Sequence, residues 1–213
     1  MENYAIYALG FFAQSLFGSR LIVQWIQSER KGQVVSPTVF WILSLMASFL
    51  FLIYGVLRHD PVILIGQTFS YYIYVRNLQL KGFWIQIPQP LRFIIFPMPV
   101  LILSYIGFFA PETFQAILDK SDFSERIIII GTVGQLMLNL RYLYQWYYSE
   151  KAKESLLPLG FWVISLIASV MVVSYAFIKH DPVLLVSQGL GMMAYSRNIY
   201  LSIRPPKAKS TYH

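Results

Sequence analysis

The sequence has no cysteine, three histidines and only ten acidic residues among 213. Without cysteine there is neither a disulfide framework nor a thiolate metal site. His59, His180 and His213 are too few and too scattered to form a metal cluster. Charge of either sign is scarce, at 13% of residues, where soluble domains carry roughly a quarter. No carboxylate pair, nucleophile–base set or phosphate-binding glycine loop of any specificity is present, so an enzyme is the least expected class and no cofactor is expected. The start, Met1-Glu2-Asn3, lacks the basic residues of a cleavable signal, and the first apolar run is expected to stay as a span.

Apolar residues fill the space that charge leaves. They make up 56% of the chain and fall in long blocks. Residues 6–26, 39–57 and 62–75 are almost free of charge apart from Arg20. A spanning helix needs about 20 mostly apolar residues, so an integral membrane protein is expected. In a soluble chain a net charge of +7 would point to nucleic acid. In a membrane protein, basic loops set topology, and no nucleic-acid partner is expected.

The chain repeats itself at a fixed offset of 121 residues, with no gap. Arg20 falls on Arg141, Gln24-Trp25 on Gln145-Trp146 and Ser28-Glu29 on Ser149-Glu150. Pro37, Phe40-Trp41, Ser44 and Ser48 fall on Pro158, Phe161-Trp162, Ser165 and Ser169. His59-Asp60-Pro61 falls on His180-Asp181-Pro182. Gln67, Tyr74 and Arg76-Asn77 fall on Gln188, Tyr195 and Arg197-Asn198. Such self-similarity marks a duplication.

Each copy reads as three helices, the second and third opening at prolines, which suit the first helical turn. In the first copy they run over about 4–27, 37–57 and 61–80, and in the second over about 127–148, 158–178 and 182–203. Between them an apolar run over 91–110 carries Pro97 and Pro99 and is predicted to kink. The fold class expected is all-α with seven transmembrane helices. Residues 1–83 form the first repeat, 84–125 the linker helix and loop, 126–204 the second repeat and 205–213 a basic tail. Three helices and a linker make four crossings, so both repeats enter from the same side, one of the two plans found in transporters. Arg30, Lys31, Lys81, Arg92, Lys151, Lys153, Arg204, Lys207 and Lys209 gather on one side, which is predicted to be cytoplasmic, with the N-terminus outside.

The 3+1+3 plan, with a proline opening helix 2 of each copy, resembles the SWEET and PQ-loop superfamily in architecture. The Pro-Gln pair is absent at both of those prolines, which Thr38 and Leu159 follow. A closer resemblance is to the bacterial lipid A biosynthesis N-terminal domain family. It is carried by the runs 20–29 and 36–41, by His59-Asp60-Pro61 with Gln67, and by Tyr74-Val-Arg-Asn77, all recurring in the second copy, where Leu157 replaces Ser36. The resemblance implies a bacterial inner-membrane protein accompanying enzymes that build or decorate lipid A and polyprenyl-phosphate sugars. The family's name derives from a fusion to a glycosyltransferase for which a chain of this length is expected to have no room.

Charges within spans are rare and usually functional. Arg20 and Arg141 lie about seven residues from a helix end, roughly 10 Å deep, and Arg76 and Arg197 about four residues, roughly 6 Å. Gln24 and Gln145 share a helical face with Arg20 and Arg141. Gln67, Tyr74 and Asn77, with Gln188, Tyr195 and Asn198, form a second polar face. No acid lies at that depth within the spans; Glu29 and Glu150 stand at the mouth. Arginine's planar fork suits phosphate, so a lipid phosphate is the expected counter-ion. The alternative is that the arginines snorkel to the interface or bond the mouth glutamates. Trp41 and Trp162 fit either an interfacial belt or stacking on a sugar ring, and Trp25, Trp84 and Trp146 fit the belt. Asp60 and Asp181 look like N-caps, and the serines of 44–48 and 165–169 like close-packing faces. The expected function is a translocase for a phosphate-bearing lipid such as a polyprenyl-phosphate sugar, with Arg20, Arg141, Arg76, Arg197, Gln24, Gln145, Asn77, Asn198, Trp41, Trp162, Gln67, Gln188, Tyr74 and Tyr195 binding it. The alternatives are a small-solute carrier and a non-catalytic membrane partner of a glycosyltransferase.

Overall fold

A computed structural model describes residues 2–58, 61–109, 126–178, 180 and 182–204. The candidate caps Asp60 and Asp181, His59, the loop over 110–125 and the tail from 205 lie outside the described residues. Eight α-helices appear among those described: α1 (Glu2–Lys31), α2 (Thr38–Arg58), α3 (Pro61–Leu80), α4 (Gln89–Ile95), α5 (Met98–Phe109), α6 (Arg126–Ala152), α7 (Leu159–Ile178) and α8 (Pro182–Ile203), with a short 3-10 helix at Trp84–Gln86. Among the described residues three regions are long and apolar enough to cross a membrane: Tyr4–Lys31, Thr38–Arg58 and Leu159–Ile178. The α4–α5 pair is bent by 45° and makes a fourth if counted as one span. The bend falls at Pro97, as predicted, because a proline withholds an N–H and its ring crowds the preceding turn. The remaining long helices, α3, α6 and α8, fall short of that mark by length and composition.

Prolines 37 and 158 stand just before α2 and α7, and their carbonyls accept the N–H groups of Phe40 and Phe161 at 3.1 and 3.0 Å. The exit of the first helix of each repeat turns through a left-handed residue at matching positions: Gly32 (φ 64°) in the first copy and Lys153 (φ 56°) in the second. Glycine adopts this conformation freely, whereas lysine takes it against Cβ crowding.

Within each repeat the second helix packs against both of the others, α2 between α1 and α3, and α7 between α6 and α8. Their contact faces are lined by small residues: Ser44, Ala47, Ser48, Ser165, Ala168 and Ser169 are all fully buried, which lets the backbones approach closely. Across the molecule α3 meets α6 and α1 meets α8. One aromatic core unites the copies. Trp41 and Phe40 from one, and Trp162 and Phe161 from the other, gather with Tyr74, Tyr142 and Tyr195. Trp41 and Trp162 are therefore core residues rather than members of an interfacial belt: both are fully buried, Trp41 against the Phe40 and Tyr74 rings and Trp162 against Phe161 and Tyr195. Trp84 is likewise buried, against the end of α3.

Candidate functional site

The two seams between the repeats are built from the most strongly repeated motifs. At the α1–α8 seam Gln24 Nε2 donates to Asn198 Oδ1 at 2.8 Å, and Asn198 Nδ2 donates back to Gln24 Oε1 at 3.1 Å. At the α3–α6 seam Asn77 Nδ2 donates to Gln145 Oε1 at 3.1 Å, and Gln145 Nε2 returns a bond of 2.9 Å. These pairs exchange under the 121-residue offset, so the interface is self-complementary, as in a two-fold dimer. Gln24 and Gln145 also donate to Ser28 and Ser149 one turn on, whose hydroxyls accept the N–H of Val35 and of Leu156. All four amide side chains are fully buried with their groups bonded inside the protein.

Glu29 and Glu150, at the ends of the same motif, complete the seams. Each accepts from the tryptophan one turn earlier, Trp25 and Trp146, at 3.1 and 3.2 Å. Each then binds an arginine of the opposite repeat in a two-pronged ion pair, Arg197 with Glu29 and Arg76 with Glu150. Glu150 lies beyond the apolar stretch of α6, and the Arg76 guanidinium bonded to it holds its carboxyl down at about 2. The expectation that all four arginines lack a protein counter-ion is thus corrected for Arg76 and Arg197. They sit close enough to the helix ends for the mouth glutamates to reach them.

Arg20 and Arg141 are different. Both are 7% exposed, and no carboxylate among the described residues is bonded to either. They face one cavity of about 1320 Å³, lined chiefly by α1, α6 and α8, with Gln67 and Tyr74 of α3. Arg20 Nη1 donates to Ser44 Oγ at 2.7 Å and to the Tyr74 hydroxyl at 3.2 Å. Its guanidinium lies 4.2 Å from the Phe17 ring and 5.4 Å from the Tyr142 ring. Arg141 stands on the other side, 5.1 Å from the Tyr142 and Phe161 rings and 5.4 Å from Tyr195. Cation–π contacts of this kind are each worth about 0.5–2 kcal/mol and soften the cost of burying a charge without neutralising it.

The symmetry fails in hydrogen bonding. Arg141 makes a single 3.5 Å contact from Nη2 to the Tyr142 hydroxyl, and its Nε and Nη1 are buried with no hydrogen-bond partner. Three of the five donors of a guanidinium are therefore unmatched. Leaving charged donors unmatched in a buried site costs at least about 1–3 kcal/mol, so the arrangement suits an anionic acceptor brought from outside. Gln67 Oε1 is also buried without a partner and lines the same cavity, whereas Gln188 Oε1 accepts from Ser169 at 2.9 Å.

Of the fourteen residues expected to bind a ligand, the structure brings Arg20, Arg141, Gln67, Gln188, Tyr74 and Tyr195 to the cavity. It places Gln24, Gln145, Asn77, Asn198, Arg76 and Arg197 in the seams, and Trp41 and Trp162 in the core. Sequence reasoning missed Tyr142, the ring both buried guanidiniums share. Leu21 holds the matching place in the first repeat, so a search for identities between the copies passes over it.

The sequence profile described as Lipid A Biosynthesis N-terminal domain matches twice, over residues 9–79 and 130–200. Lipid-A-disaccharide synthase of Chlamydia pneumoniae is 27% identical over 93% of this chain and 33% of its own length. The protein of that name from Chlamydia muridarum is 27% identical over 93% and 34%, and that from Chlamydia felis 26% over 93% and 33%. The chain spans about a third of the length of these curated relatives. No solved structure matches. The relatives' names correct two expectations, that of a translocase or solute carrier and that of a protein without enzyme activity: chains similar over nearly all of this one are named for a synthase. Helix repeats with buried arginines define a scaffold, and a scaffold does not distinguish moving a lipid from serving its synthesis.

Proposed function

The chain belongs to the Lipid A Biosynthesis N-terminal domain family, and from that premise we propose that it is the membrane-embedded part of a lipid A disaccharide synthase activity, holding a phosphate-bearing lipid for the sugar-joining step. The carrying observation is Arg141, buried with three unmatched donors in a largely apolar cavity beside a second guanidinium. A phosphate supplies both the charge and the paired acceptors that this fork fits. The cavity exceeds the roughly 300–1,000 Å³ of pockets for drug-sized molecules, which suits a ligand with a long apolar body. A glycosyltransferase unit, on the same chain or a separate one, is the natural partner.

In this reading α1, α2, α3, the bent α4–α5 pair, α6, α7 and α8 make seven crossings of the bacterial inner membrane, with the seam glutamates at the cytoplasmic mouth. The absence of native cysteine makes the topology simple to test. Single cysteines at residues 33 and 154 are expected to react with an impermeant thiol reagent only from the cytoplasmic side. Labelling of either from outside the cell would overturn the orientation.

The binding reading is tested by mass spectrometry of lipids retained after gentle purification. Arg141→Gln is expected to lower retained phosphate-bearing lipid by about tenfold or more, the size of one charge-assisted pair. Arg20→Gln is expected to lower it less, because part of that guanidinium already serves Ser44 and Tyr74. Retention by Arg141→Gln equal to that of the parent protein would remove the proposal.

A further inference from the structure

The two seams related by the repeat are not alike in the half away from the amide pairs. At the α3–α6 seam the helices are in close contact: a Cβ placed on Gly66 would stand 3.0 Å from Asn139 Nδ2. This contact forms a back wall, and Asn139 itself lines the cavity. The position matching Asn139 on α1 is Gly18, where a Cβ would meet nothing within 4 Å; on α8 a Cβ at Gly189, which matches Thr68 rather than Gly66, would also meet nothing. Around that gap the cavity wall consists of apolar side chains at the protein surface, Ile22 (56% exposed), Leu190 (59%) and Met193 (56%). The cavity lining runs along α1 from Gln14 and along α8 from Val186 up to the Gln24–Asn198 clasp, so the open part is a lateral groove about 15 Å long at 1.5 Å per residue.

A laterally open, apolar groove leading to a buried, unmatched guanidinium has two chemistries at its two ends. Resting on the lipid reading above, we infer that the α1–α8 groove, rather than the α3–α6 seam, is the lateral portal of the site. The acyl chain of a phosphate-bearing lipid lies in it while the phosphate reaches Arg141, and the α3–α6 seam stays shut to lipid. Gly18 is then the residue that sets which side opens: its missing side chain leaves the space that Asn139 occupies on the opposite seam. The occupant follows from charge complementarity at the inner end and from the apolar side chains along the groove.

The test uses the full chain in phosphatidylcholine vesicles containing phosphatidic acid with a photoactivatable diazirine on one acyl chain. Diacylglycerol carrying the same chain serves as the control without phosphate. Phosphate-dependent labelling is expected to concentrate on Ile22, Leu190 and Met193, about tenfold above the segments containing Gly66 and Asn139. Gly18→Trp, which fills the gap, is expected to abolish that excess at the portal. Equal labelling of both seams, or undiminished portal labelling in folded Gly18→Trp, would overturn the portal while leaving lipid retention through Arg141 intact. Labelling that is the same with and without the phosphate would overturn both the portal and the reading it rests on. Should Gly18→Trp fail to fold, the labelling map of the parent protein decides by itself.

Discussion

At the scale of single residues, the differences between the two copies are more informative than the identities. Trp41 Nε1 donates to Ser36 Oγ at 2.7 Å, and Ser36 bonds Ser155 across the repeats at 2.9 Å. In the second copy Leu157 stands where Ser36 stands, and Trp162 Nε1 is buried without an acceptor. Both indoles are fully buried, so replacing either by Phe leaves a comparable gap. Only the first replacement also loses a hydrogen bond, while the second removes an unmatched donor. Trp41→Phe is therefore expected to destabilise the protein by about 1–3 kcal/mol more than Trp162→Phe, measured by thermal unfolding in detergent. A similar comparison holds at the left-handed exits of α1 and α6. Lys153→Gly is expected to raise stability by about 0.5–1 kcal/mol, because glycine adopts φ 56° without Cβ crowding, and Gly32→Lys to lower it by a similar amount.

At the scale of helices, the Gln-Trp-x-x-Ser-Glu motif holds the repeats together. Its glutamine pairs with an asparagine of the other copy, its serine binds the following loop, and its tryptophan donates to the glutamate that takes the arginine. Buried side-chain bonds between membrane helices average only about 0.6 kcal/mol and reach about 1.7. A double-mutant cycle on Asn77→Ala and Gln145→Ala is expected to give a coupling energy toward that upper figure, since the pair exchanges two bonds in a fully buried setting. A coupling indistinguishable from zero would show that the amides meet without holding the seam. The helix starts set by prolines, the proline kink and the duplication were readable from the sequence, because proline position and repetition are local properties; α1 and α6 run on to Lys31 and Ala152, about four residues past the apolar runs that marked them. Which polar residues face a ligand and which face each other was not. Gln67, Tyr74 and Asn77 share one side of α3 by spacing, yet Gln67 and Tyr74 line the cavity while Asn77 pairs with α6. That division depends on where α6 lies, and no periodicity within α3 encodes it.

For the molecule as a whole, the polar clasps between the repeats among the described residues sit toward one end. Both amide pairs, both arginine–glutamate bridges and the Ser36–Ser155 bond lie near the exits of α1 and α6, while farther along the helices one seam is shut at Gly66 and the other is open at Gly18. The polar contacts that join the repeats are thus concentrated beside the seam glutamates, and the ion pairs there couple folding stability to pH. The Glu150 carboxyl has its folded value depressed to about 2 by Arg76, so the pair stabilises the folded state fully above the ordinary carboxylate range. As pH falls below that range toward 2, the unfolded chain binds the proton first and this contribution is progressively lost. The side chains of the pair are 37% and 25% exposed, so solvent screens it and the effect is modest. The melting temperature is therefore expected to be insensitive to this pair between pH 7 and pH 5 and to decline below about pH 4.5, where the carboxylate range begins. Glu150→Gln is expected to melt lower at neutral pH and to show a shallower decline in acid, because the variant has no proton to take up at that site. A decline of equal slope in both proteins would mean that the arginine–glutamate bridge does not hold the repeats at their shared end.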